Sequence, residues 1–382
     1  MAPPDVTLRR LNRTTLARQG LLDRLRGPVP DAIGRLAGLQ AQHANSPYIA
    51  LWSRLADFEI RDLVGALDDR SVVKATLMRS TLHLVDAAGY PVLEAATRGS
   101  RTENWAPTVR RSGIDDKALH EHVLAFAGTP RTVAELEAFA EEDAAAGSTG
   151  SSLADHAPGN VARVAFRIAS ARGGLVHAPP SGHWRSHGKA RYVAARVWLP
   201  DVAIPDEEPA LDESLVGYLR AYGPASVADF GQWFGQRRVS RTKAAVERLG
   251  DRLVRLRDEN GRELLDLAEL DAATGDEPAP VRFLARWDSL LVSYDARLRI
   301  VADEHRPAVY KKNADILATF LVDGFVAGTW TSEVAKGVAT IDLVPLGRIA
   351  PSERQALTDE AERLIRFIEP DADRHEVRWT EG

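Results

Sequence analysis

The sequence predicts an α+β chain of three tandem winged-helix (helix-turn-helix) modules followed by a C-terminal β-barrel-like module. Three observations predict it. "GTPRTVAELEAF" (Gly128 to Phe139) and "YGPASVADFGQWF" (Tyr222 to Phe234) repeat one pattern: a Gly/Pro turn, then Thr132 or Ser226, then Val-Ala-acid-apolar. Each copy lies between helix-like segments and is followed by a hairpin pattern. Beyond residue 279 the pattern shifts to short strands.

The first module, residues 1–112, is the degenerate copy. Residues 16–25, "PDAIGRLAGL" and "YIALWSRL" read as its three helices, with "EIRDLVGALDD" continuing the third. "VVKATLMRSTLHLV" (Val72 to Val85) reads as paired strands. Gln40 and Gln42 then fall at the end of the second helix.

The second module spans 113–205. "DDKALHEHVLAFA" is its first helix. Thr132 with Glu135 forms a capping box that starts the second, and Asn160 caps the third, "NVARVAFRIASA". Its wing is "GGLVHAPPSGHWRSHGKARYVAARVWLP", with strand-like ends around a Pro-Pro-Ser-Gly tip. The third module, 206–278, repeats the order with "LDESLVGYLRAY", a Ser226/Asp229 box and "SRTKAAVERL" capped by Ser240. Its hairpin, "RLVRLRDENGRELLDL", turns at Asn260-Gly261, a strong two-residue hairpin signal. Linkers are expected at "EEDAAAGSTGSS" and at "DEEPA" near Glu207. In the fourth module, 279–382, "VRFLARWDSLLVSY", "ILATFLVDGFVAGTW" with an Asp323-Gly324 turn, and "VATIDLVPL" read as strands. "PSERQALTDEAERLIRFI" is a closing amphipathic helix.

Composition narrows the function. The 382 residues contain no cysteine, which excludes disulfides, thiol nucleophiles and cysteine-ligated zinc. No apolar run approaches the ~18 residues of a membrane span, and the arginine-rich start leads into no apolar signal core. The expectation is a cytoplasmic monomer without cofactor or metal. A P-loop, a dinucleotide fingerprint and a Gly-x-Ser-x-Gly elbow are all missing. The net charge of −5 argues against a uniformly basic nucleic-acid binder. Its distribution argues the other way. From His156 to Pro200 there is no Asp or Glu, while Arg163, Arg167, Arg172, Arg185, Lys189, Arg191, Arg196 and four histidines crowd the same window. Such polarity can present a positive face to a phosphate backbone. It is equally the pattern of solvated arginines balanced by distant acids.

What remains are unusual polar groupings. Gln40 and Gln42 flank one alanine. In "MRSTLHLV", Arg79, Thr81 and His83 alternate with other residues and would share one face of a strand. That face is either ordinary solvated surface or the lining of a cleft shared with the glutamines. The acid-free wing is the third grouping.

"LQAQHANSPYIALWSRL", "MRSTLHLV", "LVHAPPSGHWRSHGKARYVA", "GPASVADFGQWFG" and "VDGFVAGTW", spread over residues 39 to 330, resemble the bacterial winged-helix glycosylases of the AlkZ and YcaQ type. The resemblance implies three winged helices with a C-terminal β-barrel. It also implies removal of alkylated purines from double-stranded DNA, including bulky adducts or interstrand crosslinks, in repair or in self-resistance of antibiotic producers. Gln40-Ala41-Gln42 matches the Gln-apolar-Gln catalytic motif of the AlkZ branch, so Gln40 and Gln42 are the catalytic candidates. Arg79, Thr81, His83, His183, Trp184, Arg185, Lys189 and Arg191 are the candidates for DNA contact. "WDSLLVSYDAR" departs from the aromatic-acidic segment of the family's barrel, and "PPSGHWRSHG" departs in the wing; both bear on substrate choice.

Two amides fit one kind of leaving group. Glycosidases ordinarily use two carboxylates, one of them protonating the leaving group. An amide cannot protonate, but it accepts through oxygen and donates through nitrogen, so it can orient water. That suffices where N7- or N3-alkylation has already made the purine cationic. If residues 40–42 are extended, the two side chains point the same way; if helical, they diverge. The alternatives are a winged-helix regulator without enzymatic activity and a protein-interaction scaffold.

Overall fold

The computed structural model describes residues 5–146, 153–156, 160–188, 190–235 and 238–380. Lys189 and the whole "GSTGSS" part of the expected linker, residues 147–152, lie outside them.

Among the described residues the strands form three sheets. The largest runs across the first two sequence modules. Leu39–Gln40, Val72–Thr76 and Leu82–Asp86 supply one half; Leu175–Ala178, Arg191–Ala194 and Arg131–Thr132 supply the other. The halves join where Ala75 pairs with Val176. Side chains in register across a sheet share a face. Gln40, His83, Ala75 and Val176 therefore lie in one row. Lys74 and Leu84 lie on the opposite side, where Leu39 and Leu84 join a separate apolar core.

The two capping boxes form. The Thr132 backbone N–H donates to Glu135 and the Glu135 N–H to Thr132 Oγ1, starting the helix Val133–Ala146. Ser226 and Asp229 do the same for Val227–Phe234. Each such helix lies between an upstream helix (Asp116–Phe126, Glu207–Tyr222) and a downstream one (Val161–Ala171, Val239–Leu249). The strands Leu253–Asp258 and Glu263–Leu267 pair as the hairpin expected around Asn260-Gly261.

Several expectations need correction. The first helix is Leu8–Arg18 rather than 16–25, because Thr7 caps it by accepting from the Arg10 N–H. Gln40 ends no helix: the second helix stops at Arg35 and Gln40 sits in a two-residue strand. Ser240 lies inside the first turn of Val239–Leu249, whose cap is Arg238, and Asn160 makes no side-chain capping bond. "DEEPA" is the start of a helix, not a linker. Glu207 and Glu208 in its first turn favour the positive end of the helix dipole, and a proline is tolerated there. Unanticipated is the 23-residue helix Tyr90–Ser112.

Among the described residues the C-terminal module forms no closed barrel. Arg282–Leu284, Thr319–Val322, Phe325–Ala335, Val338–Pro345 and Arg374–Trp379 form an open five-stranded sheet. Its edge strands, Arg282–Leu284 and Arg374–Trp379, do not pair with each other; Arg374–Trp379 joins parallel to Val338–Pro345 after a crossover through Pro351–Ile368. That helix covers one face with Leu357, Ala361, Leu364 and Ile365, all fully buried.

Candidate active site and nucleic-acid cleft

The segment carrying the glutamines is tied to the C-terminal module. The Gln40 backbone N–H donates to Ser289 Oγ at 3.0 Å, and Ser46 Oγ donates to the Arg286 carbonyl at 2.6 Å. Nearby, Arg54 and Asp288 form a two-pronged ion pair at 2.9 and 2.6 Å, both side chains buried. Breaking such a pair costs about 3–5 kcal/mol, because it strands a charge in the interior. The "WDSLLVSY" segment thus fixes the floor beneath Gln40.

The two amides part company in environment. Gln40 is 3% exposed, and its Oε1 accepts from Arg79 Nη2 at 2.6 Å. A guanidinium only donates, so this bond fixes the amide orientation and leaves Nε2 as a donor. Gln42 is exposed, with its Oε1 3.5 Å from the Leu82 N–H.

Arg79 is not on a strand. It and Ser80 both adopt left-handed backbone conformations, with φ of 54° and 56°, in a turn between Val72–Thr76 and Leu82–Asp86. Non-glycine residues in this region are strained by roughly 1–3 kcal/mol and persist where the surroundings dictate them. Here Arg79 Nη1 is anchored on the Trp233 carbonyl and Nη2 on Gln40. Gly235 also presses against the turn; a Cβ there would stand 2.7 Å from Arg79 Cα. Burial lowers the Arg79 pKa to about 10, so the guanidinium stays charged at neutral pH.

His83 completes the cluster. Its Nδ1 lies 3.0 Å from the Thr81 carbonyl and must carry the proton, which leaves Nε2 to accept from Arg79 Nη2 at 3.3 Å. Burial first, then the Arg79 charge, lowers its pKa to about 3, so the ring is neutral at working pH. Thr81 Oγ1 turns back to the Met78 carbonyl. The expected alternation of 79, 81 and 83 on one strand face is therefore replaced by a turn, which nevertheless brings Arg79 and His83 together with Gln40.

Gln42 opens into a cleft of about 640 Å³. Ser80, Thr81 and Leu82 form the same wall. Trp105, Arg163, Arg167 and Glu137 line it from other helices. Arg163 and Arg167, both exposed, are one turn apart on Val161–Ala171, so they share a helix face. Ser80 also lines a second cleft of about 510 Å³ with Asn104, Gln232 and Gly235. The acid-free window contained Arg163 and Arg167, but their place beside Gln42 depends on the fold. Glu137, half-buried and the only carboxylate lining the Gln42 cleft among the described residues, had no sequence signal.

The wing residues go elsewhere. Trp184 packs edge-on against Tyr48 with ring centres 5.2 Å apart, and against Phe367 at 6.0 Å. Arg185 donates to the Ile368 carbonyl at 2.7 Å and pairs with Glu369, and His183 Nε2 lies 2.9 Å from Asp68. His183, Trp184 and Arg185 are thus engaged within the chain rather than gathered at the Gln42 cleft. Arg191 is exposed at the start of its strand, paired with Thr132.

A recessed amide locked by a half-buried arginine, a second amide exposed at a cleft and two exposed arginines beside it make an arrangement that can orient water next to a positively charged wall. Residues 33–367 match the family described as DNA glycosylase AlkZ-like, and the chain belongs to that family of DNA glycosylases. It is 27% identical over 336 residues to the interstrand DNA cross-link repair glycosylase of Streptomyces sahachiroi, an alignment covering 82% of this chain and 85% of that one. Its fold is similar to the solved structure of Streptomyces sahachiroi DNA glycosylase AlkZ, with a TM-score of 0.80 and 23% identity over 98% of this chain and 100% of the other.

Proposed function

We propose that this glycosylase hydrolyses the N-glycosidic bond of cationic alkylated purines, N7-alkylguanine and N3-alkyladenine, in double-stranded DNA, and accepts bulky adducts and interstrand crosslinks. The observation that carries the reading is the asymmetry of the two amides. Gln40, its oxygen held by Arg79, presents only N–H donors. Gln42, exposed at the cleft, supplies the acceptor through the remaining lone pair of the oxygen that also accepts from the Leu82 N–H. Together they orient one water toward the sugar carbon, and the Gln42 oxygen offsets the charge of an oxocarbenium-like transition state. Neither protonates a leaving base, so the base must already be cationic.

Three helix–hairpin units read as winged helices around an open cleft rather than a closed base pocket. An open cleft does not enclose an extruded base, which favours tolerance of bulky adducts. Arg163, Arg167 and Arg191, with Ser80 and Thr81, are assigned to the DNA backbone. Trp184 and Arg185 are assigned to docking the wing on the C-terminal module. The protein named as a cross-link repair glycosylase among its relatives supports the crosslink arm of this reading. Incubation with duplexes carrying N7-methylguanine or an N7-linked interstrand crosslink tests it. Abasic sites and unhooked strands are expected, and intact substrates in both cases would refute it.

A further inference from the structure

One of the eight tryptophans is engaged differently from the rest. Five meet other aromatic rings, Trp198 lies under the Arg70 guanidinium at 4.1 Å, and Trp287 donates to Asp315 at 2.9 Å. Trp105, half-buried on the helix Tyr90–Ser112, makes no ring, guanidinium or hydrogen-bond contact among the described residues. One side of it packs on the apolar core around Leu136 and Phe166, and it lines the Gln42 cleft.

The wall around Trp105 combines aromatic surface with positive charge. The helix Val161–Ala171 presents Arg163, Phe166, Arg167 and Ser170 to the cleft, the i, i+3, i+4, i+7 face of a helix. Phe166 meets Tyr192 edge-on at 5.7 Å, and both line the cleft with Trp105. Burial pushes the Tyr192 pKa up to about 12, so the phenol stays neutral. Leu82 and Val133 add apolar surface. At about 640 Å³ the cleft exceeds what one ordered water requires and lies in the range of small-molecule sites, about 300–1,000 Å³.

We infer that this part of the cleft is a subsite for the substituent carried by an alkylated purine, and that it selects an uncharged, planar aromatic group stacked on Trp105. The inference rests on the glycosylase reading proposed above. The cationic purine itself is a poor occupant. Arg101 is balanced by Glu94, but Arg163 and Arg167 face Glu137 alone, so the wall is positive. An uncharged ring meets no such repulsion, and aromatic faces attract one another in offset or edge-on stacks. In an open cleft the purine stays in the duplex beside Gln42 and only its substituent enters. The two arginines remain for the phosphates that flank it.

The test compares single-turnover release of N7-benzylguanine, N7-(cyclohexylmethyl)guanine and N7-methylguanine from otherwise identical duplexes, below saturating enzyme. Each rate is divided by the uncatalysed depurination rate of the same lesion, which removes the difference in leaving-group lability. Wild type should favour benzyl over cyclohexylmethyl, which has similar bulk and no aromatic face, by roughly threefold or more. Trp105→Leu keeps an apolar side chain against the core and removes the ring; the ratio of benzyl to methyl release should fall roughly 5- to 20-fold. Trp105→Phe restores a ring and should recover most of that ratio. Thermal melts establish that each variant is folded at the assay temperature. Equal wild-type release of benzyl and cyclohexylmethyl lesions overturns the inference. So does a benzyl-to-methyl ratio unmoved in Trp105→Leu, including the case where all rates fall together, because Trp105 is then a packing or general DNA contact. Wild-type release of N7-methylguanine reads the glycosylase activity separately; if none of the three lesions is released, that reading fails and the inference with it.

Discussion

Replacing Arg79 with methionine tests how the recessed amide is held. The side chain keeps an unbranched, flexible stem and loses its charge and donors. Three acceptors then lose a partner: Gln40 Oε1, the Trp233 carbonyl and His83 Nε2. Each buried acceptor left without a donor costs about 1–3 kcal/mol, roughly 3–9 kcal/mol together. Against this stands the relief of a buried cation, whose pKa falls from 12.5 to about 10, or roughly 3 kcal/mol. The balance centres on a net loss of about 3 kcal/mol, measured by urea denaturation. Excision should suffer beyond stability, because the Gln40 amide is then free to rotate and offers its oxygen as readily as its nitrogen. Single-turnover release of N7-methylguanine, under conditions where the variant is fully folded, should slow by about 10- to 100-fold. Arg79→Lys keeps the charge but not the fork, and should recover part of the rate. A methionine variant as stable and as fast as the wild type would refute the role given to Arg79.

Other outcomes follow from the same geometry. Gln42→Ala should reduce base release by roughly 10² or more, while Glu137→Gln should leave it within about threefold; the reverse order, read in single-turnover assays, would make Glu137 the general base. Arg163→Ala with Arg167→Ala should weaken binding to any duplex and lower the salt slope by about two units, measured by fluorescence anisotropy over a salt series. Lys74 is buried on the far side of the sheet, and burial lowers its pKa from 10.5 to about 8. The unfolded chain therefore holds this proton more tightly, and wild-type stability should rise between about pH 8 and 10.5. Lys74→Met should be more stable at pH 7 and lose that rise; an unchanged slope in denaturation across this range would contradict the burial argument.

Local signals were legible where a few neighbouring residues decide the structure. Thr132 with Glu135 and Ser226 with Asp229 cap helices because their partners sit three residues on. Asn260-Gly261 turns a hairpin because the turn needs only those two residues. The Gln-Ala-Gln spacing singled out a segment that borders the cleft at Gln42. What escaped depends on distant contacts. The strained turn at Arg79 and Ser80 is imposed by Trp233 and Gly235, more than 150 residues away, so the alternating pattern read as strand. Ser289, which holds the Gln40 backbone, is separated from it by 249 residues. Trp184 and Arg185 looked like a free basic wing because Phe367 and Glu369, which engage them, lie at the other end of the chain. The barrel expectation failed at its last strand, Arg374–Trp379, whose charged alternation "RHEVRW" carries no sign of parallel pairing.

The central claim is that two amides without a general acid can release only a base that is already cationic. The direct measurement compares single-turnover release of N7-methylguanine and of uracil from otherwise identical duplexes by the wild-type chain. The account predicts release of N7-methylguanine that depends on Gln42, with uracil retained. Efficient release of uracil would reveal a leaving-group acid in the cleft and contradict the mechanism.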